Sequence, residues 1–107
     1  MSVWYGVKDL DAARDFYKER LGFQEDYRDD EARWMRLSRA GGELALVESD
    51  EPTGAVLAVD VPDVKGEAAR LREEGVEVGV VLEIHGTIRL VDVYDPDGNR
   101  LQLTQDL

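Results

Sequence analysis

Side chains able to do chemistry are scarce in this chain. It has one histidine and no cysteine, so a disulfide framework, a thiolate nucleophile, a Cys-ligated zinc and any site needing two histidines of one chain are all excluded. His85 is the one side chain that ordinarily titrates near neutral pH, and it could act as a base or hold a ligand through either ring nitrogen. It stands in Glu83-Ile84-His85-Gly86-Thr87, between two expected strands; an exposed loop histidine is the plainer reading. Glu83 shares its side on an extended segment, and with Glu43 or Glu48 the pair would supply imidazole and carboxylate donors for a metal. Trp4 and Trp34 offer flat faces for stacking on an aromatic or cationic ligand, or equally fill a core. No G-x-G-x-x-G or G-x-x-x-x-G-K phosphate loop follows any strand.

The elements that must position these residues are limited by size. A chain of 107 residues, 43% of them hydrophobic, supports one modest core and hence a single domain. Acidic residues outnumber basic ones 24 to 13, for a formal charge of −11 and a pI near 4.4. Phosphate backbones and anionic lipid are therefore repelled, which excludes nucleic acid and membrane surfaces as partners. No apolar run approaches the roughly 20 residues that span a bilayer, and Met1-Ser2-Val3-Trp4-Tyr5 lacks a basic region leading into an apolar stretch. A cytoplasmic location is expected.

A weak internal repeat organises the chain. Val7-Lys8-Asp9-Leu10 opens a helical stretch that ends at Leu21-Gly22-Phe23, and Val61-Pro62-Asp63-Val64 opens one that ends at Glu74-Gly75-Val76. Asp9 and Asp63 are N-caps. Leu10, Ala13, Phe16, Tyr17 and Leu21 form the inner stripe of the first helix, and Val64, Ala68 and Leu71 that of the second. Strands are expected over 2–7, 23–27, 32–38 and 43–47, then over 55–60, 76–82, 88–94 and 100–104. Asp95-Pro96-Asp97-Gly98-Asn99 is a hairpin turn. Each half thus reads strand, helix, three strands, an α+β arrangement of module 1 (1–50) and module 2 (54–107) joined by a short linker at 51–54. Neither half buries enough surface to stand alone.

The Val7 to Tyr17 stretch with Leu21-Gly22-Phe23, together with Asp95-Pro96-Asp97-Gly98-Asn99-Arg100-Leu101-Gln102-Leu103, resembles the vicinal oxygen chelate superfamily of glyoxalase, bleomycin-resistance and extradiol dioxygenase proteins. The resemblance spans essentially the whole chain. It implies two tandem βαβββ modules whose sheets curl into open half-barrels around a cupped pocket, commonly in homodimers with the ligand cleft between modules. It also implies four metal-ligand positions, typically His, Gln or Glu, which fall here on Ser2, Ala45, Val56 and Gln102. Only Gln102 carries a donor suited to a metal, because a divalent ion needs several N or O donors converging on it.

Alternation then proposes which residues line the cups. Trp4 shares parity with Ser2; Glu43 and Val47 with Ala45; Arg100 and Thr104 with Gln102; and Asp60 with Val56 and Ala58. Arg36, Arg89 and Asp92 are further strand charges able to reach a rim. The candidate ligand-binding set is Trp4, Trp34, Glu43, Val47, Val56, His85, Arg89 and Gln102, with no catalytic residue, metal ligand or cofactor assigned. The leading expectation is a metal-free small-molecule binding protein similar to the antibiotic-sequestering bleomycin-resistance proteins. Its ligand would be aromatic or, given the acidity, cationic, and the protein would be a homodimer. The competing expectation is a divalent-metal-dependent glyoxalase, lyase or dioxygenase-type enzyme with displaced ligands. A third is a structural or regulatory protein whose cup is filled by its own side chains.

Overall fold

The structure, a computed structural model, describes residues 2–51 and 55–107, with Ser2 described by its backbone only. The expected linker at 51–54 therefore falls mostly outside the described residues. The first half runs β1 (Ser2–Val7), α1 (Leu10–Glu19), β2 (Gln24–Asp29), β3 (Trp34–Arg39) and β4 (Gly42–Glu48). The second runs β5 (Val56–Asp60), α2 (Val64–Glu73), β6 (Glu77–Val78), β7 (Leu82–Ile84), β8 (Ile88–Tyr94) and β9 (Arg100–Asp106). The sheets are ordered β1-β4-β3-β2 and β5-β9-β8-β6, with β7 pairing β8 beyond β6. β1 lies parallel to β4, and β5 parallel to β9, while the other pairings are antiparallel. The helix in each half is the crossover that a parallel pair requires.

The two helices begin and end by the same devices. Asp9 and Asp63 accept from the Ala12 and Gly66 N–H groups, each at 3.1 Å, satisfying donors that a helix start leaves open. After each helix the chain reverses at a glycine in the left-handed region, Gly22 (φ +70) and Gly75 (φ +83). Phe23 and Val76 then close back on the Tyr17 and Leu71 carbonyls, both at 2.9 Å.

Alternation along the strands divides each sheet into a buried face and an open one. Met35, Leu37, Leu44 and Leu46 of the first sheet join Leu57, Val59, Val91, Val93, Leu101 and Leu103 of the second in one core cluster. The helices cover it with Leu10, Ala13 and Tyr17 on one side and Val64, Ala68 and Leu71 on the other. No helix among the described residues is long and apolar enough to cross a membrane.

One expected strand is corrected. The segment 76–82 does not run as a single strand but breaks into β6 and β7. Val78 pairs with Val93 and Leu82 with Leu90, so three residues on one side face two on the other. This extra residue reverses the side-chain parity and carries Leu82 and Ile84 onto the open face. The equivalent strand of the first half has the same irregularity: the register shifts between Glu25 and Tyr27, which sets Tyr27 opposite Arg36.

Buried polar groups join the halves. The Tyr5 hydroxyl accepts from the Leu57 N–H at 3.0 Å and donates to the Arg100 carbonyl. The Tyr17 hydroxyl donates to Asp95 at 2.7 Å, and Asn99 donates from Nδ2 to the Gly6 carbonyl at 2.9 Å. Arg39 pairs with Glu67 between β3 and α2. Tyr5→Phe strands a backbone donor and acceptor in the joint, and we expect it to lower the unfolding free energy by about 1–3 kcal/mol. Urea denaturation checks this, and a loss within error of zero would remove the hydroxyl from the joint.

Burial raises the Tyr5 phenol pKa, and burial together with the Asp95 charge raises that of Tyr17 well above 10.0. The folded state therefore holds these protons more tightly than the unfolded chain. Their contribution is complete below the unfolded phenol's value and is lost as pH climbs towards the raised folded one. Stability should thus fall above about pH 10, and Tyr17→Phe should flatten that fall in melts taken across the alkaline range. An unchanged slope would count against the assignment.

Candidate functional site

The uncovered face of the first sheet is laid out by its register. Trp4 neighbours Ala45, Ala45 neighbours Arg36, and Arg36 neighbours Tyr27. A second row runs Gly6, Val47, Trp34, Asp29, and a third runs Ser2, Glu43, Ser38, Gln24. Cross-strand partners share a face, so Trp4, Glu43 and Val47 stand together as alternation proposed, and the register adds Trp34 to them. Trp4 is 50% exposed and Tyr27 48% exposed, so the cup is not closed by its own side chains. The Tyr27 and Trp34 rings lie 5.3 Å apart, tilted by 48°. A depression of about 380 Å³ is lined by Val3, Trp4, Arg36, Glu43, Leu44 and Ala45.

The corresponding face of the second sheet is more polar and more internally satisfied. Gln102 lies between Ala58 and Asp92, and Val56 beside Arg100. Asp92 accepts from Gln102 Nε2 at 3.2 Å and pairs with Arg100 at 3.4 Å, while Thr104 donates to Asp60 at 2.7 Å. The outer part of the face is apolar: Leu82 and Ile84, 52% and 41% exposed, lie opposite Leu90 and Ile88.

Two of the proposed residues lie elsewhere. Arg89 shares the parity of Val91 and Val93, on the helix-covered face, and its guanidinium pairs with Glu83 at 3.2 Å. His85 occupies the exposed turn between β7 and β8 with φ +51. Two of the residues proposed as its metal partners are engaged separately, and the third, Glu43, lies on the first sheet. Glu83 holds Arg89, and Glu48 pairs with Arg33 at 2.6 Å, whose hydrogen bond keeps the Glu48 carboxyl below the usual carboxylate range. Among the described residues no group of three or more His, Cys, Asp or Glu is placed to hold a metal ion.

The superfamily's metal positions do not fit a divalent ion here. Ala45 and Val56 have no donor atom, and the Gln102 amide is hydrogen-bonded to Asp92. The side chain at Ser2 lies outside the described residues. Tyr27 and the aliphatic pair Leu82 and Ile84 were absent from the expected site, because each reaches the open face only through a bulge that strict alternation cannot register. Arg36, proposed as a rim charge, sits at the centre of the face. A second depression, of about 310 Å³ between Phe16, Tyr94 and the Asp95 turn, meets a carboxylate already occupied by Tyr17, Asn99 and the Asp97 N–H.

Known proteins share this architecture over nearly its full length. An integron cassette protein from the mobile metagenome of the Halifax Harbour sewage outfall superposes with a TM-score of 0.86 at 26% identity, covering 98% of this chain and 96% of that one. TnmS3, an antibiotic binding protein from Streptomyces sp. CB03234, superposes at 0.81 with 32% identity, covering 99% and 93%. The uncharacterised protein YurT of Bacillus subtilis (strain 168) is 29% identical, with 92% of each chain covered. The family model of the Glyoxalase/Bleomycin resistance protein/Dioxygenase superfamily matches residues 2–103. With its two open α+β sheets and that match, the chain belongs to this superfamily.

Proposed function

We propose that this protein binds a small planar molecule on the open face of the first sheet without the help of a metal ion. The observation that carries the reading is the pairing of a half-exposed aromatic face, Trp4, Tyr27 and Trp34, with Ala45 and Val56 at positions where a metal site needs donors. Stacking on such a face favours flat aromatic ligands. The likeness to TnmS3, described as an antibiotic binding protein, makes a natural antibiotic a sensible class to try. Arg36 and Glu43 supply orienting charges beside the rings.

A second copy of the chain is the natural cover for these faces. The aliphatic patch of Leu82, Ile84, Ile88 and Leu90 is the kind of surface that a soluble chain buries against a partner. Sedimentation should give twice the 12.0 kDa chain mass; a monomer at every concentration tested would overturn this part of the reading.

Calorimetric and tryptophan-fluorescence titration with a panel of planar aromatic compounds, basic glycopeptides included, tests binding itself. At least one compound should bind, and Trp4→Ala should weaken it by about ten-fold or more through lost stacking and buried area. Silence across the panel would sink the reading. Nickel, zinc or manganese copurifying at one ion per chain, or raising the melting temperature, would overturn the metal-free part and favour the enzyme reading.

A further inference from the structure

Arginines in this chain are almost all occupied. Arg14, Arg20, Arg28, Arg33, Arg39, Arg70, Arg89 and Arg100 each pair with a carboxylate, and Arg72 donates to the Gly79 carbonyl. With 24 acidic residues against 13 basic ones, that is the expected outcome. Arg36 is the exception: among the described residues its guanidinium has no hydrogen bond and no ion pair. It is exposed, and it occupies the middle of the one face that collects Trp4, Tyr27 and Trp34. Glu43 lines the same depression, one row away, without bonding to it.

An unpaired guanidinium on a face that also carries aromatic rings has a specific use. Its planar fork presents parallel N–H donors that match the two oxygens of a carboxylate, while the rings beside it hold the flat body to which that carboxylate is attached. We infer that the ligand of this face is a planar aromatic acid, its anionic oxygen edge gripped by Arg36 and its rings stacked on the aromatic face. The inference rests on the binding reading above and gives it a charge. It also reverses the preference for cations that net acidity alone suggests. The acidic residues at a distance act through screening solvent, whereas Arg36 acts at contact through a charge-assisted hydrogen bond. Glu43 limits the geometry: an edge facing it must carry an O–H or N–H donor or no charge.

Three probes of one shape separate these possibilities: 2-naphthoate, neutral 2-naphthamide and the 2-naphthamidinium cation, each titrated calorimetrically into the full chain. Naphthoate should bind about ten-fold or more tightly than the amide, as one charge-assisted hydrogen bond implies, with the cation weakest. Arg36→Gln should bring naphthoate down to the affinity of the amide while leaving the amide within about two-fold, and Arg36→Lys should retain part of the preference. Arg36 is exposed and makes no bond to lose, so both variants should melt as the parent does. If the amide or the cation binds as well as naphthoate, or Arg36→Gln keeps the preference, the acid assignment is wrong while the binding reading stands. If none of the three binds, the acid assignment fails, and the binding reading falls with it only when the wider panel is silent too.

Discussion

The structure depends on how the turn after β8 is received by the first half of the chain. Asp95 is 5% exposed and Asn99 1% exposed, positions at which polar groups need partners, and only the Asn99 amide oxygen lacks one among the described residues of this turn. Asp95 takes the Tyr17 hydroxyl, the Asp97 and Asn99 N–H groups and the Asn99 amide, and that amide also reaches the Gly6 carbonyl. A carboxylate desolvated among so many donors is stable only while all of them are in place, so helix α1, strand β1 and the β8–β9 turn must assemble together. Gly6 fits this arrangement because a Cβ there would lie 2.3 Å from the Glu51 carbonyl oxygen. Half of the chain could not satisfy these groups alone, and that gives a polar reason, besides the small apolar area, for two modules in one core.

The Asp95-Pro96-Asp97-Gly98-Asn99 segment shows what was legible and what was not. Its residue types announce a tight turn, and a tight turn forms, with Gly98 at φ +86. Nothing in the local pattern says that Asp95 and Asn99 face inward, because that follows from a tyrosine 78 residues away in sequence. The repeat, both caps, both helix stops and the alternation of β1, β4, β5 and β9 were readable because each is a local, periodic signal. The placement of the proposed residues on the sheets follows the same rule. Trp4, Trp34, Glu43 and Val47 share a face because their strands run without interruption. Tyr27, Leu82 and Ile84 escaped because one extra residue in β2, and one between β6 and β7, flips everything beyond it. Arg89 was assigned to a rim as a strand charge, with no register to distinguish its face from that of Leu90.

The bulges fall in equivalent strands of the two halves, and each turns a would-be inward side chain outward. In the first sheet the gain is an aromatic ring beside Arg36, and in the second an aliphatic pair beside Leu90 and Ile88. The two open faces therefore differ in kind although the backbones repeat. One carries rings and an unpaired cation, and the other carries aliphatics around a satisfied cluster of Asp92, Arg100 and Gln102. Flat rings and a charge stand together on the first face, whereas the outer part of the second is aliphatic.

This division of labour follows from the period of two in a strand. Residues on the covered face are held by the core, where removing a buried Leu typically costs about 2–5 kcal/mol, so Leu44 and Leu46 have little freedom to change. Ala45, between them in sequence, points the other way and contributes almost nothing to that core. The same holds for Val56 and Ala58 around Leu57, and for Gln102 between Leu101 and Leu103. Exchanging metal donors for alanine and valine at these positions leaves the fold intact, which is why the architecture alone cannot say whether a member is an enzyme or a binder. The chemistry resides in the alternate residues of each strand that face away from the core, and among the described residues of this chain those on the first sheet offer aromatic rings and an arginine without an ion pair.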